Sequence, residues 1–294
     1  MNSTRNILRR TFSRCVRIAP RFRGLGRVVQ LVDGLLTDGN NEFSYLATAV
    51  VNGFGPVLLD LRTFDQRHAY YFGGYESDAV DISKSLYNRG SFYDVGASIG
   101  IYSVSFAHAA AKLDHYVRAI EPVPANQERL HTQLTLSAIS DRVTVHPVAV
   151  SDLEGRLRMS LCADRRPGNA RVEAHGHYEV CVTTLDKIWR HHGCEDVGFV
   201  KIDAEGFDAK IICGAKELIR KCRPVILAEF SRHCMRKARI DMRPCWEMLV
   251  NEFQYVPRRI VGKELIPIKE PEDFEDLVFC WSGESRQMVP HVGS

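Results

Sequence analysis

The 294-residue chain holds nine cysteines but no CxxC pair, an odd number of thiols scattered mostly through apolar stretches. That pattern excludes disulfide-stapled secreted domains and the common zinc modules, and reads as reduced thiols in a cytoplasmic protein. No run reaches the roughly 18 to 20 apolar residues of a bilayer span, and the amino terminus lacks the apolar block of a secretory signal, so the chain is expected to be neither exported nor integral. Repeats and low-complexity segments are missing, which excludes solenoids and fibres. So are a GxSxG elbow and a Walker loop, which removes those hydrolase and phosphate-transfer readings. Acid is missing from residues 1–32, where eight arginines lie (Arg5, Arg9, Arg10, Arg14, Arg17, Arg21, Arg23 and Arg27), so a chain of formal net charge +3 carries −5 over the remainder. An acidic body lacks the broad basic face that a phosphate backbone needs, and no nucleic-acid partner is expected.

Within the basic segment Leu8, Phe12, Val16 and Ala19 recur at spacings of three or four until Pro20. The spacing predicts a short surface-lying helix suited to peripheral membrane contact. A transit peptide has much the same composition, and a solvated basic arm is the plain alternative.

From about residue 42 short β-branched runs alternate with helical periodicities, the pattern of a parallel sheet flanked by helices. The organisation predicted is a basic extension over 1–40, strands and a helix over 41–90, and a doubly wound, mostly parallel seven-stranded α/β domain over 91–294. Expected strands are Ser44–Val51, Val57–Leu61, Ser91–Gly96, Tyr116–Ile120, Val143–Val150, Val197–Ile202 and Pro224–Leu227, with Phe253–Ile260 and Asp276–Trp281 as an antiparallel edge. Residues 70–76 read as a turn, 153–182 as a hairpin excursion, and 208–221 as one helix.

Ligands of such sheets bind at the carboxyl ends of the strands, and there Asp94, Glu121, Asp203 and Glu229 each close an apolar run. The turn Asp94-Val-Gly96-Ala97-Ser98-Ile-Gly100 falls short of the GxGxxG dinucleotide fingerprint. Asp94 would repel a phosphate and suit a cation, while Glu121 is placed to accept hydrogen bonds from a ribose. A ligand with an ammonium, a sulfonium and a ribose fits better than NAD, although a NAD-binding dehydrogenase or epimerase and a non-catalytic binding protein stay as alternatives.

These residues resemble the FkbM family of S-adenosylmethionine-dependent methyltransferases. The resemblance lies in Phe92–Ser103, Ala119-Ile-Glu-Pro122, Val148-Ala-Val-Ser151, Thr184-Leu-Asp186, Phe199-Val-Lys-Ile-Asp-Ala-Glu-Gly206, Gly214-Ala215 and Arg223–Glu229, over roughly half the chain. It implies a class I, Rossmann-like methyltransferase fold with S-adenosyl-L-methionine as cofactor. Asp94, Gly96, Ala97 and Gly100 would then border the methionine and sulfonium, Glu121 the ribose, and Asp152 the adenine. Glu76, in a stretch like the family's Gly-x-Tyr-Glu, would close over the cofactor. Ser98, where the family often has Asn, and His233, farther from Glu229 than is usual, depart from the pattern.

Alternation places Lys201 and Asp203 on one face of a strand, with Glu205 at the mouth. Methyl transfer needs alignment and a place for the acceptor's proton, and Asp203, Glu205, Glu229 and His233 are the candidate bases. Lys201 is expected to position the acceptor or a carboxylate. The implied activity is O-methylation of a sugar, glycolipid or polyketide-like hydroxyl, with nitrogen or protein acceptors as the rival. A divalent metal among the carboxylates is a minority reading, and His191-His192-x-Cys194 reads as a polar helix end rather than a zinc site.

Overall fold

The computed structural model describes residues 2–20, 22–37, 45–53, 55–161, 170–172, 178–230, 235–236, 238–270 and 276–283. They fall into two compact units, residues 1–77 and residues 78–161 with 170–294.

The first unit contains α1 (Asn2–Ile18), α2 (Leu25–Leu36), the antiparallel hairpin β1 (Leu46–Val50) and β2 (Pro56–Asp60), and α3 (Phe64–Phe72). The stretch expected as a turn is therefore half helix: Tyr70, Tyr71 and Phe72 form the last turn of α3, which Gly73 ends at φ 79° by donating its N–H to the Ala69 carbonyl. Of the apolar spacing of α1, Phe12 and Val16 turn inward while Leu8 is exposed. Val16 is buried and Phe12 meets the Tyr71 ring edge-on at 5.7 Å. Arg9 is buried too, its Nε 3.0 Å from Asp33 Oδ1, which also accepts the Tyr71 hydroxyl at 2.6 Å. Ser13 Oγ and Arg17 Nη2 donate to the Tyr70 carbonyl at 3.1 and 2.8 Å. Buried polar groups of this kind are stable only when paired, and α1 is thus a packed element rather than a solvated arm.

The second unit opens within α4 (Ser77–Leu86), at Asp78, and is built on an eight-stranded sheet of order β13-β12-β14-β11-β10-β3-β4-β5. Its parallel part comprises β3 (Ser91–Val95), β4 (Val117–Ile120), β5 (Val143–His146), β10 (Val197–Ile202) and β11 (Val225–Glu229). The antiparallel edge comprises β12 (Tyr255–Val261), β13 (Glu264–Pro267) and β14 (Asp276–Trp281), the last lying between β11 and β12. β13 is the strand beyond the seven expected. β3, β4 and β10 are buried along their whole length, which is why they read as unbroken apolar runs rather than as alternation. Helices α5 (Ile101–Lys112) and α6 (Pro124–Leu136) follow β3 and β4. Phe106 of α5 stacks on Phe92 at 4.2 Å on one face of the sheet. Leu185, Ile188 and Trp189 of α7 (Leu185–His191) join Tyr93, Val95, Val200 and Ile202 in the core on the other.

Two elements expected to be continuous are broken. Pro147 lacks the N–H that a ladder needs, so the run 143–150 divides into β5 and β6 (Ala149–Val150). The second piece pairs with β9 (Tyr178–Thr183) in a separate sheet of order β6-β9-β7-β8, with β7 at Gly155–Leu161 and β8 at Ala170–Val172. The helix expected over 208–221 divides into α8 (Asp208–Cys213) and α9 (Lys216–Cys222). A side chain at Gly214 would collide with the Ser151 carbonyl. Asp186 of α7 caps α9 by accepting the N–H groups of Glu217 and Leu218 at 3.0 and 2.8 Å, satisfying donors that a helix start leaves unpaired. After β11 come α10 (Arg243–Glu247) and a π-helical turn, Met248–Glu252. No described helix is long and apolar enough to cross a membrane.

Candidate active site

The strand order reverses between β3 and β10, the switch point at which an open α/β sheet leaves a crevice. Asp94 and Lys201 lie opposite one another across that pair, and the Asp203 N–H continues it by donating to the Val95 carbonyl at 3.0 Å. A Cβ at Gly96, which sits at φ 77°, would collide with the Asp203 carbonyl. Gly96 is therefore required to let the β3 turn meet the β10 loop, a constraint of the fold before it is one of ligand binding. Gly100, at φ 86°, needs its glycine for the left-handed backbone, since what a Cβ would meet there is only the end of the Leu130 side chain.

The turn spends its amides within the protein. Gly96 and Ala97 donate to the Ile120 carbonyl, both at 3.0 Å, and Ser98 donates to Glu121 Oε2 at 2.8 Å. A phosphate-gripping turn would instead hold such amides outward. Glu121 also accepts the Val123 N–H and the Asn126 amide through Oε1 at 2.9 and 3.2 Å. Burial pushes its carboxyl up, against these hydrogen bonds.

Asp94 is closed to solvent, with Oδ2 accepting the Ser103 hydroxyl at 2.6 Å and Oδ1 without a partner among the described residues. Burial pushes its carboxyl above the ordinary range, while Lys201 and Ser103 pull it back. Lys201 is itself buried, with Nζ 3.1 Å from Asp203 Oδ2 and 5.0 Å from the Tyr102 ring centre. Lys201 thus belongs to the two aspartates, whereas Asp203 is part-exposed at the crevice. Glu205 is exposed at φ 50° beside Gly206 at φ 97°, so two left-handed residues in succession bend the loop. Glu229, half-buried, ends β11.

Asp208 escaped the sequence reading, which saw only a helix start. It is wholly buried, accepts the Gly206 N–H through Oδ2 at 3.3 Å, and has no partner for Oδ1 among the described residues. Its carboxyl is pushed up to about 8, first by burial and then by the negative charges of Asp203 and Glu229. The available signal was its spacing: an acid five residues after Asp203, across a glycine turn, returns to the same strand end. Asp94, Glu121, Asp203, Asp208 and Glu229 thus stand at the carboxyl edge with Lys201 beside them, an acid-rich rim in which burial holds Asp208 protonated at neutral pH and the ionised members suit a cationic ligand.

Asp152 lies apart from the turn: it accepts the Ser151 hydroxyl at 2.9 Å and stands 3.8 Å from Lys210 Nζ of α8. Glu76 belongs to the first unit, where Asn52 holds its turn by donating to the Tyr75 carbonyl and accepting the Tyr75 N–H at 2.6 and 3.0 Å. His233 lies outside the described residues. His192 pairs with His146 at 2.9 Å between Nε2 atoms. Among the described residues no group of three or more His, Cys, Asp or Glu side chains is arranged to hold a metal ion.

Comparison with known proteins matches residues 94–254 to the methyltransferase FkbM domain. The FkbM methyltransferase structure from Methylobacillus flagellatus aligns over 94% of this chain and 58% of its own, at 16% identity and TM-score 0.44. This chain therefore spans less than two thirds of that protein's length. A precorrin-6y C5,15-methyltransferase from Geobacter metallireducens aligns over 71% and 88% at 16% identity and TM-score 0.39. A SAM-dependent O-methyltransferase from Thermotoga maritima aligns over 70% and 66% at 13% identity and TM-score 0.36. No curated protein matches the chain.

Proposed function

The chain belongs to the FkbM methyltransferase family, and from that premise we propose that it is an S-adenosyl-L-methionine-dependent O-methyltransferase acting on a hydroxyl, a sugar hydroxyl before a lipid-linked or polyketide-like one. The observation that carries the cofactor is the acid-rich strand edge with a buried oxygen on Asp94 that has no partner among the described residues. A sulfonium and an ammonium would favour the ionised form of these buried acids, and a pyrophosphate would disfavour it further. Asp94, Gly96, Ala97 and Gly100 would border the methionine side, Glu121 the ribose, and Asp152 the adenine end. Bound there, the cofactor supplies a methyl carbon already activated for displacement.

The protein's part is then alignment and proton transfer. Asp203 is the base this geometry favours. Lys201 holds one of its carboxylate oxygens, its side chain is 40% exposed, and it stands at the switch point where an acceptor hydroxyl would approach. Glu205 and Glu229 flank it as acceptor contacts, with His233 as the remaining candidate. Six described cysteines, Cys15, Cys181, Cys194, Cys213, Cys222 and Cys245, are free thiols, which supports a reducing, cytoplasmic setting.

Isothermal titration tests the cofactor directly. S-adenosylmethionine or S-adenosylhomocysteine should bind and NAD should not. Glu121→Ala should weaken binding by roughly tenfold to a hundredfold, the range for hydrogen bonds to a charged group, with the far-UV circular dichroism retained. Tight NAD binding with neither methyl compound bound would refute the proposal.

A further inference from the structure

Half of the large apolar side chains exposed among the described residues, seven of fourteen, lie between Ile7 and Leu35. That concentration is unusual, because single exposed leucines are ordinary and a cluster is not. Five of them, all but Leu8 and Phe22, lie on two helix faces. Ile7 and Ile18 are three turns apart on the side of α1 opposite its buried Arg9, Ser13 and Val16. Val28, Leu31 and Leu35 recur at i, i+3 and i+7 on α2, opposite its buried Leu25, Val29 and Asp33. Leu31 and Leu35 are 71% and 82% exposed, and Ile18 is 86% exposed.

The charge on the same surfaces has one sign. Asp33 is the sole acid in either helix, and it is buried against Arg9 and Tyr71. Arg10, Arg14 and Arg27 are exposed, with no acidic partner among the described residues. Apolar side chains projecting between unopposed arginines match a surface that is greasy within and anionic at its boundary. A nucleic acid would answer the arginines and leave the isoleucines and leucines in water.

We infer that the outward faces of α1 and α2 form a docking surface for an anionic lipid bilayer, lying in its interface rather than crossing it. The inward faces fasten these helices to α3, so the membrane-facing part is a folded platform instead of a detachable tail. The inference stands independently of the methyl-transfer reading.

Because deleting α1 would expose Asp33 and Tyr71, the test uses outward substitutions in the full chain. Sedimentation is measured with vesicles of phosphatidylcholine alone and with vesicles in which about a third of the lipid is phosphatidylglycerol, a strongly anionic surface. The anionic vesicles should capture the protein, the neutral ones far less, and added salt should weaken capture. Leu31→Ser with Leu35→Ser should lower partitioning about tenfold or more through lost apolar burial. Arg10→Gln, Arg14→Gln and Arg27→Gln should lower it roughly fivefold per charge. Both variants should melt like the parent, since the changed side chains are exposed. Equal capture by the two vesicle types, or undiminished capture of either variant, overturns the inference. So does a leucine variant that shifts a dimer to monomer by light scattering while its vesicle capture is unchanged, which would make the surface an interface between copies.

Discussion

The sheet of the second unit buries two polar clusters, and they are built in opposite ways. Toward the amino ends of its strands, Glu195 accepts four hydrogen bonds: Arg118 Nε and Nη2 at 2.8 and 2.9 Å, Ser91 Oγ at 2.8 Å and the Tyr93 hydroxyl at 3.0 Å. Burial alone would raise its carboxyl, but those donors outweigh burial and hold it below the ordinary range. Toward the carboxyl ends, Asp94 and Asp208 each keep a buried oxygen without a partner among the described residues, and burial pushes both carboxyls up. A satisfied cluster stabilises one fold and has nothing left to offer. An unsatisfied one costs stability, and that cost is tolerable where a ligand or a proton completes it.

The largest effect should come from breaking the satisfied cluster. Arg118→Ala leaves the part-buried Glu195 without its guanidinium partner; removing one member of a fully buried pair typically costs about 3 to 5 kcal/mol, and the partial exposure of Glu195 places the loss toward the low end of that range. Chemical denaturation followed by circular dichroism should show that loss at pH 7. A loss below about 1 kcal/mol, the range of exposed pairs, would mean that the two clusters do not differ as described.

The unsatisfied cluster should respond to pH instead. The Asp208 carboxyl lies near 8 in the folded protein against 3.8 for an ordinary aspartate. Between those values the folded state holds a proton that the unfolded state has released, so stability falls as pH rises through the window and levels off above about 8. Asp208→Asn keeps the shape of the neutral acid and has no proton to lose. The melting temperature of the parent should therefore decline from pH 5 to 8.5 more steeply than that of the variant, with the variant the more stable at the alkaline end. Parallel profiles would show that Asp208 does not titrate across this range.

The difference between the clusters also marks what the sequence could disclose. Asp94, Glu121, Asp203 and Glu229 were legible because each stands at the end of a strand whose apolar residues are buried, and such a strand shows as an uninterrupted apolar run. Glu195 gave no such signal: its partners lie 77 to 104 residues away, a pairing set by strand order. Asp208 was hidden for a related reason, since only the turn through Glu205 and Gly206 brings it back beneath Asp203. Gly214 looked compatible with a continuing helix until the Ser151 carbonyl was found against it. In α1 the spacing of Leu8, Phe12 and Val16 was correct as a helix and silent about orientation, because periodicity defines a stripe without saying what covers it.

The smallest effect tests whether pairing alone accounts for the stability of the amino-end cluster. Lys187 Nζ lies 2.8 Å from Glu154 Oε2, as close as Arg118 lies to Glu195, but the two side chains are 57% and 54% exposed. Water screens that pair, and ordering two long side chains offsets most of what contact contributes, so Lys187→Ala should change stability by no more than about 0.5 kcal/mol. Equal distance with unequal consequence would assign the difference to burial and to the additional donors from Ser91 and Tyr93. If Lys187→Ala instead costs as much as Arg118→Ala, burial is not what separates the two pairs, and the reading of Asp94 and Asp208 as groups awaiting a partner loses its physical basis.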